Sequence, residues 1–85
     1  MNRYLVEIRI VPREGLLDPE GKAVQNALRS LEFTGVEDVR VGRLLRLELA
    51  GATPEEVRAR AEDMCRRLLA NPVTEDYEID LENIS

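Results

Sequence analysis

Both ends of the chain alternate. Tyr4, Val6, Ile8 and Ile10 share one parity while Arg3, Glu7 and Arg9 take the other. Near the far end Val73, Glu75, Tyr77, Ile79 and Leu81 alternate with Thr74, Asp76, Glu78, Asp80 and Glu82. A period of two sends successive side chains to opposite faces, so each segment predicts a strand with one face toward a core and the other toward water. Strands written this way must pair, and something must cover their apolar side. Pro12 has no N–H to give to a ladder and is expected to close the first strand, placed at residues 3–11.

Two capped helices supply the cover. Asp18-Pro19 offers a side-chain acceptor followed by a residue whose fixed φ suits the first helical position. Ala23, Val24, Ala27, Leu28 and Leu31 then fall on one stripe, with Lys22, Gln25, Asn26 and Arg29 turned outward, and Gly35 is the expected left-handed stop. Thr53-Pro54-Glu55-Glu56 is a capping box, the best-marked boundary in the chain. Val57, Ala61, Met64, Cys65, Leu68 and Leu69 form the inner stripe of this second helix, which Asn71-Pro72 ends.

Residues 36 to 50 admit two readings. Val39, Val41, Leu45, Leu47 and Leu49 are odd, whereas Asp38, Arg40, Arg46 and Glu48 are even, one pattern running across Gly42. A hairpin turning on Gly42-Arg43 would set Val39 opposite Arg46, so the faces would conflict; a three-residue loop would restore them but leave very short strands. The preferred reading is one long strand, bent or bulged at Gly42. The order is then β-α-β-α-β, or β-α-β-β-α-β if the middle folds back. Either is an α+β two-layer sandwich close to ferredoxin-like, with two helices on one face of an antiparallel sheet, in a single domain spanning 1–85.

Composition removes several chemistries. Among 85 residues there is no histidine and one cysteine, which excludes histidine catalysis, histidine metal clusters and a disulfide within the chain. Gly15-Leu-Leu-Asp-Pro-Glu-Gly21-Lys22 sits where a phosphate loop would, but its glycine spacing is too long, Ala23 lacks the hydroxyl, and Asp18 and Glu20 would repel phosphate. The net charge of −5, the aromatics limited to Tyr4, Phe33 and Tyr77, and acidic neighbours one turn before Arg60, Arg66 and Arg67 argue against nucleic acid. Carboxylates two apart along the last strand are about 6.6 Å from each other and do not converge on an ion. Cys65 lies on the apolar stripe of the second helix with no base beside it, the setting of an inert thiol. No apolar run reaches membrane-spanning length, and the chain is expected in the cytoplasm. Leu5, Val11 and Leu44 break the outward polar pattern, so an oligomer pairing sheet faces or edges is expected.

Three segments carry a resemblance: Leu17-Asp-Pro-Glu-Gly-Lys-Ala-Val-Gln-Asn-Ala-Leu28, Val36-Glu-Asp-Val-Arg-Val-Gly-Arg43 and Met64-Cys-Arg-Arg-Leu-Leu-Ala-Asn-Pro-Val-Thr-Glu-Asp-Tyr77. In order, spacing and total length they resemble the PurS family, the small subunit of phosphoribosylformylglycinamidine (FGAM) synthase. The resemblance implies a non-catalytic subunit in the fourth step of de novo purine synthesis. There a glutaminase subunit releases ammonia, and an ATP-dependent synthetase subunit activates the formylglycinamide oxygen so that ammonia can displace phosphate. The small subunit would bridge these partners and assist ammonia transfer, with ATP and Mg used by the complex and no cofactor on this chain. It also implies a homodimer, or a tetramer when isolated. Five motif residues whose side chains a bare fold does not need are the candidate partner contacts: Asp18, Lys22, Gln25, Arg40 and Arg43. The competing reading is a ferredoxin-like dimerisation module that senses a small molecule; a free-standing enzyme is disfavoured by the missing catalytic groups.

Overall fold

The strand β1 (Asn2–Pro12) is the axis of the molecule. In the computed structural model, which describes residues 1–85, it lies between β2 (Arg43–Gly51) and β3 (Glu75–Asn83), and both run antiparallel to it. The register explains why the alternation reads so cleanly. Val6 faces Leu47 on one side and Leu81 on the other, and Ile8 faces Leu45 and Ile79, so apolar rows continue across all three strands.

Helix α1 (Pro19–Ser30) follows β1, and helix α2 (Pro54–Met64) follows β2. Helix α2 covers the apolar face. Its Val57 and Ala61, with Cys65 just beyond, are buried against Tyr4, Val6, Ile8, Ile10 and Ile79. Thr53 caps it as expected, its hydroxyl accepting from the Glu56 N–H at 3.2 Å; the Glu56 carboxylate accepts from Ala52 N–H rather than from Thr53. After Met64 the helix widens into a π-turn over Cys65–Leu69, closed by Ala70 N–H on the Cys65 carbonyl at 3.0 Å. The wider turn keeps Cys65 in the core but swings Leu68 outward, so that residue, expected on the inner stripe, is 82% exposed.

The opposite sheet face carries the charges. Arg9 pairs with Asp80 and Glu78, Arg13 with Asp76, Arg3 with Glu48, and Arg46 with Glu7. Asp76, Glu78 and Asp80 of the β3 carboxylate row are thus answered by Arg9 of β1 and by Arg13 just beyond its end.

Two expectations are corrected. Residues 36–42 are neither half of a bent strand nor half of a hairpin: β2 begins only at Arg43, and the preceding segment is an extended strap. A side chain at Gly42 would be driven into the Ile10 carbonyl oxygen, so glycine is what lets the strap pass the end of β1 and enter the sheet. The order β-α-β-α-β and the α+β architecture stand, but α1 does not lie on the sheet beside α2. Its buried residues are Gly21 and Gln25, while Val24 is 41% and Leu31 70% exposed. Lying 52 Å long by 26 by 15 Å, the chain has a radius of gyration of 16.4 Å, well above the roughly 12 Å of a compact chain of this length. The stripe was expected to be core because helical periodicity reveals that a face needs cover, not which chain covers it.

Helix α1 ends in paired bonds, Phe33 N–H to the Leu28 carbonyl at 3.1 Å and Glu32 N–H to the Arg29 carbonyl at 2.9 Å. The left-handed position this closure demands is held by Glu32, at φ 67°, and not by Gly35, which is left-handed three residues later at φ 86°.

Candidate functional site

The strap and α1 are built to hold each other. Asp18, the N-cap of α1, uses both carboxylate oxygens: one accepts from Gly21 N–H at 3.1 Å and the other from Val41 N–H at 3.0 Å. These bonds, the Val41 one foremost, hold its carboxyl below the ordinary carboxylate range, with the charge of Arg40 acting the same way. Seven residues along the helix from Asp18, Gln25 donates from its amide to the carbonyls of Val36 at 3.3 Å and Glu37 at 3.0 Å. Arg40 fixes the strap to the end of β1, donating to the Pro12 carbonyl at 2.8 Å and pairing with Asp38 at 3.2 Å. Gly21 makes the approach possible: a Cβ there would meet the Val39 carbonyl oxygen and the Asp18 carboxylate.

Between helix and strap opens a cleft of about 420 Å³, floored by these bonds and flanked by Leu16, Leu17, Lys22, Arg29 and Glu37. Four of the five residues singled out from the sequence, Asp18, Lys22, Gln25 and Arg40, gather on it. Arg43 does not. It stands at the start of β2, where its guanidinium donates to the Leu69 carbonyl at 2.9 Å and pairs with Glu75 at 3.0 Å, tying β2 to the chain leaving the π-turn.

The four differ in what they can still do. Asp18, Gln25 and Arg40 are engaged inside the chain and shape the cleft, whereas the ammonium of Lys22 has neither a carboxylate nor a carbonyl partner. Gln25, expected to face water, is the buried polar side chain of α1 because the strap covers it. Sequence reasoning passed over Arg29; the signal was its spacing of seven from Lys22, which returns it to nearly the same side of the helix. The chemistry available here is recognition by charge and hydrogen bonding. No group of three His, Cys, Asp or Glu side chains is placed to hold a metal ion, and burial pushes the Cys65 thiol up, away from the reactive thiolate. No helix is long and apolar enough to cross a membrane.

Comparison with known proteins places this architecture. A family model described as PurS, phosphoribosylformylglycinamidine (FGAM) synthase, matches residues 5–83. The phosphoribosylformylglycinamidine synthase subunit PurS of Methanocaldococcus jannaschii is 40% identical over 81 residues, covering 95% of this chain and 98% of that protein. The corresponding subunit of Bacillus subtilis is 37% identical, covering 95% of each. Among solved structures, M. jannaschii PurS superposes with a TM-score of 0.84 at 38% identity, over 96% of this chain and 99% of that one. A chain of the PurLQS structure from Thermotoga maritima gives 0.87 at 28% identity, over 96% and 100%. With a family model and curated relatives matching nearly end to end, the chain belongs to the PurS family.

Proposed function

We propose that this chain is the small, non-catalytic subunit of FGAM synthase, the ligase that makes FGAM from formylglycinamide ribonucleotide, glutamine and ATP. It holds the glutaminase and synthetase subunits together and helps ammonia pass between them. The observation that carries the reading is the full-length match, over 96% of this chain, to a chain of the PurLQS assembly. The shape supports an adaptor: an elongated molecule whose first helix turns an apolar stripe to solvent offers more surface to neighbours than it uses for itself. That stripe suits a second copy of the chain, so the working unit is a homodimer. Asp18, Gln25 and Arg40 set the shape of the cleft and Lys22 meets the partner; Arg43 contributes by fixing the β2 entry. ATP and Mg are held by the synthetase subunit, and glutamine is opened by the glutaminase subunit. Ammonia in transit must be kept from water, which would protonate and disperse it, and a rigid subunit closing the joint between two active sites meets that need.

The test is amidine formation by the other two subunits, with glutamine or with ammonia as nitrogen source, with and without this chain. Strong dependence on the chain with glutamine, and weak dependence with ammonia, is expected. Equal dependence with both sources, or none, would refute the coupling role.

A further inference from the structure

Twelve side chains carry positive charge. Eight arginines reach a carboxylate, and Arg58 and Arg60 reach main-chain carbonyls of Ile79 and Ala50. The two left without such a partner, Lys22 and Arg29, line the same cleft. In a chain with five more carboxylates than cations, this selective vacancy is informative. The cleft's own acids do not fill it: Asp18 is occupied by two backbone N–H groups and Asp38 by Arg40, leaving Glu37 as the one unpaired carboxylate on its wall. Beside the two cations the rim is apolar, with Leu17 88% and Leu16 46% exposed.

We propose that this cleft receives an acidic segment of a partner subunit, two of whose carboxylates meet Lys22 and Arg29 while a neighbouring apolar side chain covers Leu17. The inference rests on the adaptor reading and specifies the partner chemistry of its site. Seven residues of helix separate the two cations by about 10.5 Å along the axis. Both side chains are long, so carboxylates on same-side positions of an extended segment, about 6.6 Å apart, can meet them separately. A compact polyanion would instead concentrate its charge beside Glu37. Around α1, Lys22, Gln25 and Arg29 lie nearly opposite Ala23, Val24, Ala27 and Leu31, so the acidic segment and a second copy of this chain occupy different sides of one helix. Contacts of this exposed kind contribute chiefly to encounter rate and choice of partner, and they weaken with salt.

The experiment measures assembly of the full-length chain with the glutaminase and synthetase subunits at low and high ionic strength, about 0.05 and about 0.5 M. The Lys22→Glu/Arg29→Glu double variant is expected to assemble at least about tenfold more weakly, and the wild-type affinity to fall with salt. Lys22→Arg/Arg29→Lys should assemble normally, as should Arg66→Glu/Arg67→Glu, which makes the same change in net charge on the π-turn. Circular dichroism and the self-association of the reversed variant should match wild type, which keeps misfolding from imitating the result. Unchanged assembly of the Lys22/Arg29 reversal, equal loss in both reversals, or saturable binding of inorganic phosphate that competes with assembly would each overturn the proposal. If the wild-type chain itself neither assembles nor affects glutamine-dependent turnover, the functional reading fails; if wild type does both and the reversal does so equally, only this inference fails.

Discussion

Replacing Gly21 with alanine sets two effects of known size against each other. Alanine is favoured over glycine inside a helix by about 1 kcal/mol, so the helix alone would gain. Against this, the new Cβ would be driven into the Val39 carbonyl and the Asp18 carboxylate. The first is main chain and the second is pinned by two N–H groups, so neither can swing aside cheaply. The strap must retreat beyond hydrogen-bonding distance. It then gives up both Gln25 bonds, to Val36 and Glu37, together worth about 2 kcal/mol at roughly 1 each, and loses the Asp18–Val41 bond besides. The loss exceeds the gain by at least about 1 kcal/mol, or about fivefold in the opening equilibrium. Amide hydrogen exchange reads this directly. Val41 N–H should exchange at least about fivefold faster in Gly21→Ala while the amides of α1 stay protected or gain, and complex assembly should weaken with the cleft. Wild-type protection of Val41 in a folded Gly21→Ala chain would refute the claim that a bare backbone at residue 21 is what holds the strap.

Three further outcomes follow from single features. Glu32→Gly relieves a side chain of its left-handed backbone, φ 67°, and should stabilise the end of α1 by about 1 kcal/mol, seen as slower exchange at Phe33, provided the paired bonds to Leu28 and Arg29 persist. Because the Asp18 carboxyl is held below its usual value when folded, the unfolded chain takes up the proton first as pH falls. Strap protection should therefore be full above the ordinary carboxylate pKa of about 3.9 and vanish as pH falls through the lower folded value, and Asp18→Asn should flatten that dependence. Val24→Asp with Leu31→Asp should abolish self-association in light scattering while leaving the near-ultraviolet signal of buried Tyr4 intact, since both side chains are exposed and outside the core.

The sheet was legible because its signal is local and redundant. Tyr4, Val6, Ile8 and Ile10 name the buried face by parity, and the Thr53 and Asp18 caps mark both helix starts within a residue of where they fall. The strap misled for a physical reason: Val39 and Val41 share parity with Leu45, Leu47 and Leu49, yet the backbone of the 36–42 segment bonds to the side chains of Asp18 and Gln25, the cap and flank of α1, rather than to the backbone of a neighbouring strand, and parity does not reveal the partner. The carboxylates of β3 likewise acquired a purpose only once the register set Arg9 opposite Glu78 and next to Asp80. The candidate site was half legible. Lys22 and Gln25 were named, but that one is free and the other buried depends on the strap, and Arg29 matters only once both are placed.

Helix α1 poses a stability question whose answer ties folding to assembly. Twelve residues is too short for a helix to persist alone in water, and α1 draws no support from packing on its own sheet. What holds it is polar and lies at its ends and on one flank: the Asp18 cap, the Gln25 bonds to the strap, and the paired closure at Glu32 and Phe33. Such bonds contribute about 1 kcal/mol each, enough to orient the helix but well short of the roughly 1–2 kcal/mol per residue that ordering its backbone costs. The large stabilisation available to it, burial of Val24, Leu28 and Leu31, can come only from outside the chain's own core. A neighbour that covers the apolar side therefore also stiffens the opposite side, where Lys22, Arg29 and the strap define the cleft. Self-association and recognition of other subunits are then linked through one helix, and each should strengthen the other.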